Sequence, residues 1–205
     1  MKGNDEPGGA RNASGAAFEI VAMAASAGGL RALEHILSSL PDDFLASLVV
    51  VQHLDRRHRS LLATILSRRT TLPVQEAAEG DRLLPGRVYI APPDKHLLVN
   101  PDGTLSLSHS ELVHFVRPSA DLLFESVAAS YKDRVIAVVL TGMGTDGSMG
   151  LQAVKKMGGT VIVQDAPEFS GMPSAAINTG NVDFVLPLGE IAPALVTLVM
   201  RGQAT

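Results

Sequence analysis

The sequence predicts an α/β fold: a doubly wound, mostly parallel sheet with helices on both faces and an antiparallel hairpin at one edge, a Rossmann-like three-layer arrangement. Apolar, β-branched runs recur at 18–24, 47–51, 135–141, 160–164 and 182–186. Between most of them lie segments whose apolar residues have helical spacing, and that alternation is the signature of parallel strands joined by helical crossovers. The chain has 205 residues, 46% of them apolar, which suits one domain with a full hydrophobic core.

In chain order, the segment 1–17 is rich in Gly, Asn, Asp and Ala and is expected to be a disordered leader before a single domain over 18–201. The first strand breaks at Ala25-Ser26-Ala27-Gly28-Gly29 into a helix over 29–40, with Leu30, Leu33, Ile36, Leu37 and Leu40 on one face. Pro41-Asp42-Asp43 stops that helix, and strand Leu48-Val49-Val50-Val51 follows. A second helix over 61–67 leads to a section punctuated by Pro73, Pro85-Gly86 and Pro92-Pro93, where short strands and frequent turns are expected. The segments 96–99 and 104–108 bracket Asn100-Pro101-Asp102-Gly103 as a hairpin. Pro118-Ser119 opens a helix with Leu122, Leu123 and Val127 inward, and helices over 148–157, 173–179 and 189–200 complete the pattern.

The bulk composition removes several classes of function. Cysteine is absent, which excludes disulfides, thiolate metal sites and a cysteine nucleophile. The formal charge of −4 is spread over both signs, so neither nucleic acid nor an acidic membrane surface is the favoured partner. With no signal sequence and no apolar run long enough to span a bilayer, a cytoplasmic protein is expected.

In open parallel sheets ligands bind beyond the carboxyl ends of the strands, so polar residues directly after apolar runs carry functional weight. Three such ends stand out: Ser26, then Gln52-His53, then Thr141-Gly142-Met143-Gly144-Thr145-Asp146-Gly147. Each has an ordinary alternative. Ser26 is either a helix N-cap or a nucleophile, His53 a buried structural histidine or a base, and Asp146 a turn cap or a carboxylate that orients an imidazole. His53, Asp55 and His58 also form a possible mixed nitrogen and oxygen metal set. Arg56, Arg57 and Arg59 crowd that loop and disfavour a divalent cation, so no metal is expected; the arginines suit an acidic partner or simply a solvated helix start. The Ser26 turn has Leu30-Arg31 where a Walker loop has Lys and Ser/Thr and lacks the glycine spacing of a dinucleotide fingerprint, so no cofactor is expected. Asp165 and Glu168 are weaker orienting carboxylates, and His96, His109 and His114 are assigned structural or surface roles. Jointly, a hydroxyl, an imidazole and a carboxylate at one sheet edge make a nucleophile, base and orienter set. Their order, Ser-His-Asp, differs from that of the α/β-hydrolases and of the familiar serine proteases.

Several motifs in sequence then resemble one family. Ala25-Ser26-Ala27-Gly28-Gly29, Val51-Gln52-His53, Leu83-Leu84-Pro85-Gly86-Arg87-Val88-Tyr89-Ile90-Ala91-Pro92, Arg117-Pro118-Ser119, Leu140-Thr141-Gly142-Met143-Gly144-Thr145-Asp146-Gly147 and Gly171-Met172-Pro173 are similar to the catalytic domain of the chemotaxis protein-glutamate methylesterases, also described as receptor glutamine deamidases. The resemblance covers 18–200. It implies a triad of Ser26, His53 and Asp146 acting on glutamate γ-methyl esters in a methylated helical region of a chemoreceptor or similar signalling protein. Oxyanion candidates are the backbone N–H groups of Ala27, Gly28, Met143 and Gly144. The chain departs from the family where Gly often stands for Ala24 and Thr for Ala27; the Ser-Ala-Gly-Gly version looks like the branch fused to a methyltransferase. The segment 1–17 is also far shorter than the receiver domain that precedes the esterase in regulated members. A non-catalytic scaffold module and an esterase for another small ester are the rival functions.

Overall fold

A computed structural model of the chain describes residues 18–53 and 60–200. The expected leader over 1–17, and the metal alternative that draws on Asp55 and His58, fall outside the described residues. The central sheet has seven parallel strands in the order β3-β4-β2-β1-β7-β8-β9. These are β1 (Ile20–Ala25), β2 (Ser47–Gln52), β3 (Val74–Glu76), β4 (Val88–Ile90), β7 (Val135–Val139), β8 (Thr160–Asp165) and β9 (Phe184–Pro187). Strand β1 lies between β2, from Ile20 opposite Ser47 to Ala25 opposite Gln52, and β7, from Ile20 opposite Val135 to Ala24 opposite Val139. The chain winds outward from β1 in one direction, then returns to β7 and winds the other way, so the topological switch point falls between the ends of β1 and β7.

All six residues of β1 are buried, which explains why it reads as a continuous apolar run rather than an alternating one. Strand geometry still divides them between two cores. Ile20, Ala22 and Ala24 join the core beneath α3 (Ala120–Tyr131), α4 (Gly150–Lys156) and α5 (Gly171–Asn178). Val21, Met23 and Ala25 face the other core, beneath α1 (Gly29–Ser38), α2 (Leu62–Leu66) and α6 (Leu188–Met200). No described helix is long and apolar enough to cross a membrane.

Three details differ from the sequence reading. The hairpin forms from β5 (His96–Val99) and β6 (Leu105–Ser108) as a separate two-stranded sheet beside the main one. Helix α3 takes its open edge: Val99 N–H donates to Ser126 Oγ at 3.1 Å, and Ser130 Oγ donates to Val99 O at 2.8 Å. Leu30, placed on the apolar face of α1, is exposed instead, because the buried stripe of α1 runs through Gly29, Ala32, Leu33, Ile36 and Leu37 and leaves Leu30 to one side of it. On α3 the inward residues are Leu123, Phe124 and Val127, and Leu122 is half-buried.

Candidate active site

Ser26 follows the last residue of β1, and its main chain is clamped from three directions. Its N–H donates to Thr141 O at 3.0 Å, and its carbonyl accepts Gly29 N–H at 2.9 Å and Gln52 Nε2 at 2.7 Å. The turn depends on glycine at two positions. Gly28 has φ +76°, where side chains are strained, and a Cβ on Gly29 would lie 2.0 Å from Gln52 Oε1. Gly28, with no capping side chain, is the N-cap of α1, so Ser26 does not fill the capping role that serine so often takes. The side chain is partly exposed, and Gly142 leaves it room: a Cβ there would lie 2.8 Å from Ser26 Cβ.

His53 directly follows the adjacent strand β2, with its N–H donating to Ala25 O at 3.0 Å. Its Nε2 lies 2.8 Å from Asp146 Oδ2, which leaves Nδ1 as the ring nitrogen available for proton transfer. Asp146 is 5% exposed and accepts three further hydrogen bonds, from Ser119 Oγ (2.8 Å), Ala120 N–H (2.6 Å) and Asp121 N–H (3.2 Å). These donors form the start of α3, so Asp146 caps that helix from a distant part of the chain and sits at the positive end of its dipole. Burial alone would push the Asp146 carboxyl up. The hydrogen bonds from His53, Ala120 and Ser119, together with the His53 charge, outweigh it and hold the group below the usual carboxylate range.

The structure thus brings Ser26, His53 and Asp146 to one edge of the sheet. Ala27 and Gly28 continue from Ser26, whereas Met143 and Gly144 lie on the loop beyond β7, where Met143 is exposed and Gly144 has φ +84°. Among the described residues, no intramolecular hydrogen bond takes up the N–H of Ala27, Gly28, Met143 or Gly144. Asp165 and Glu168 line a crevice of ≈ 380 Å³ with Gly28, Arg31, Thr141 and Gln164; Asp146 is the carboxylate on His53. His96 is fully buried and structural, its Nδ1 accepting Ser119 N–H at 3.1 Å and its Nε2 donating to Glu111 O at 3.0 Å.

Sequence reasoning named Thr141 at a strand end and Ser119 in a motif, but it missed their supporting contacts and missed Asp121 altogether. Thr141 Oγ1 accepts Phe169 N–H at 2.9 Å and donates to Ala27 O at 3.1 Å, which ties the Ser26 turn to the loop after β8. Ser119 and Asp121 contact Asp146 from 27 and 25 residues away, a separation no local pattern reveals. One grouping of metal-ligand type occurs among the described residues, His114, Asp121 and Asp146, with one donor atom of each within 4.8 Å of the others. The four hydrogen bonds on Asp146 already engage its oxygens.

A family model described as CheB methylesterase matches residues 21–195. A putative protein-glutamate methylesterase/protein-glutamine glutaminase of Leptospira interrogans is 40% identical over 183 residues, covering 88% of this chain and 95% of that protein. The protein-glutamate methylesterase/protein-glutamine glutaminase of Moorella thermoacetica is 43% identical over 188 residues, 89% of this chain and 44% of that protein. Among solved structures, the Thermotoga maritima CheB methylesterase catalytic domain superposes with a TM-score of 0.85 at 41% identity, covering 89% of this chain and 99% of that one.

Proposed function

From the premise that the chain belongs to the CheB methylesterase family, we propose that it is a serine hydrolase that removes methyl groups from glutamate γ-methyl esters in a helical region of a chemoreceptor-like signalling protein. The observation that carries this reading is the 2.8 Å contact between His53 Nε2 and Asp146 Oδ2 at the strand end next to Ser26. Asp146 fixes the tautomer with the proton on Nε2, so Nδ1 is the base. Ser26 Oγ attacks the ester carbonyl as its proton passes to Nδ1, and the N–H groups of Ala27, Gly28, Met143 and Gly144 are the donors proposed for the resulting oxyanion. Collapse expels the methoxy group, which leaves as methanol with the proton from His53. Water, activated by His53, then cleaves the acyl-serine and restores the glutamate carboxylate. A glutamine side chain follows the same course with ammonia as the leaving molecule, and the substrate places the reaction in the cytoplasm.

Incubation of the protein with a methyl-labelled receptor fragment, followed by measurement of released methanol, tests the reading. The parent is expected to release methanol and Ser26→Ala to fall to background. Equal release by both would remove Ser26 as nucleophile.

A further inference from the structure

Asp121 is a buried carboxyl group that the chemistry above leaves unused. It is 3% exposed. Its Oδ1 accepts Gly150 N–H at 2.8 Å, while its Oδ2 makes no ordinary hydrogen bond and lies 3.3 Å from His114 Nδ1. Ligand atoms of Asp121, His114 and Asp146 all lie within 4.8 Å of one another. Two buried carboxylates this close do not both stay ionised without a counter-charge. Asp146 has four donors and Asp121 side-chain oxygens have one, so the compensating proton belongs with Asp121.

The histidine that faces Asp121 is held in an unfavourable backbone. His114 and Phe115 have φ +47° and +67°. They sit between Val113 and Val116, which exchange hydrogen bonds of 3.2 and 2.9 Å, in a tight turn of the kind usually built from Asn and Gly. Phe115 is 91% exposed and does not anchor the turn by burial. The contact at its other central residue, His114, is with Asp121.

We propose that Asp121 and His114 form a second acid–imidazole pair that holds one proton between Oδ2 and Nδ1, leaving Asp146 as the single net negative charge beside His53. Asp121 is then a positioning residue, and the proposal rests on the reading of His53 as the base. The groups that face its carboxyl are Asp146 from the loop before α4, His114 from the 113–116 turn and the Gly150 N–H of α4, with His53, just after β2, behind Asp146. Burial and then the Asp146 charge push the Asp121 carboxyl up, against the Gly150 hydrogen bond and the His114 charge. Once His114 is removed, the His53 imidazolium is the remaining counter-charge that lets Asp121 give up its proton beside Asp146, so the two titrations become linked and ionisation of Asp121 stabilises that imidazolium. With Asn at 121 no such charge can arise.

The test is the titration of the His53 imidazole by NMR, together with the pH dependence of kcat/KM, in the parent, His114→Ala, Asp121→Asn and the double variant. His114→Ala should move the His53 titration and the acid limb of the rate profile up by about half a pH unit or more, and adding Asp121→Asn should abolish that shift. Curves of His114→Ala that superimpose on the parent's, or a double variant that keeps the shift, would overturn the proposal. Thermal unfolding identifies any variant that does not fold, and His114→Gln is the milder replacement. The NMR titration needs no substrate, so a failure of the ester-hydrolysis reading leaves its result intact.

Discussion

Asp146 does two jobs with one carboxylate, and they separate with pH. In the proposed reaction it orients His53, and it caps α3. Asp146→Asn presents an amide NH₂ where the carboxylate accepted from N–H groups. Turnover is therefore expected to fall by up to about four orders of magnitude, as the same change does in a serine protease, and thermal stability should drop as well. The sign of the pH effect follows from the depressed carboxyl. Its contribution is fully present above the unfolded value of about 3.9 and is lost as the pH falls through the lower folded value. Unfolding temperatures of the parent and Asp146→Asn, measured from pH 7 downward, should differ most near neutrality and converge below about pH 4. The residues of the proposed triad were legible in the sequence because each directly follows, or lies in the loop after, an apolar run. The contacts that Thr141, Ser119 and Asp121 make were not, because nothing local marks which distant group each one meets.

At the scale of elements, helices α3 and α4 exchange caps. Asp146, just before α4, accepts the first amides of α3, and Asp121, in the first turn of α3, accepts the first amide of α4. The two helices pack closely enough that a Cβ on Gly150 would lie 2.7 Å from Asp121 O. Gly150→Ala should therefore separate them, lowering both stability and turnover. Gly142→Ala acts differently, since its Cβ would meet the flexible Met172 Sδ at 2.4 Å and the clamped Ser26 Cβ at 2.8 Å. Its expected signature is a loss of turnover larger than the loss in unfolding temperature, which the methanol assay and a thermal scan would compare. The long strands and helices were readable from periodicity. Strands β3 and β4, three residues each, are too short to show a period, and the packing of the hairpin on α3 rests on serines whose role only the fold reveals.

Across the whole molecule, the two cores share the central sheet as a common wall. Leu33, fully buried beneath α1, and Leu123, fully buried on α3, lie in opposite cores. Truncation of either to alanine is expected to cost about 2–5 kcal/mol. The two losses should add in the double variant, with one cooperative transition in calorimetry and circular dichroism; separate transitions would show that the layers unfold independently. The doubly wound topology was predictable because alternation of apolar runs and helical segments constrains the whole chain at once, whereas the supports of the site depend on which loops that topology happens to bring together. The exchanged caps of α3 and α4 carry a further consequence. Asp146 cannot swing away from His53 without uncovering the amides that open α3, so fraying of that helix end and loss of the His53 contact are one event. The same opening exposes the amides of Ala120 and Asp121 to deuterium, and their exchange rates set a ceiling on how long the His53–Asp146 pair stays assembled.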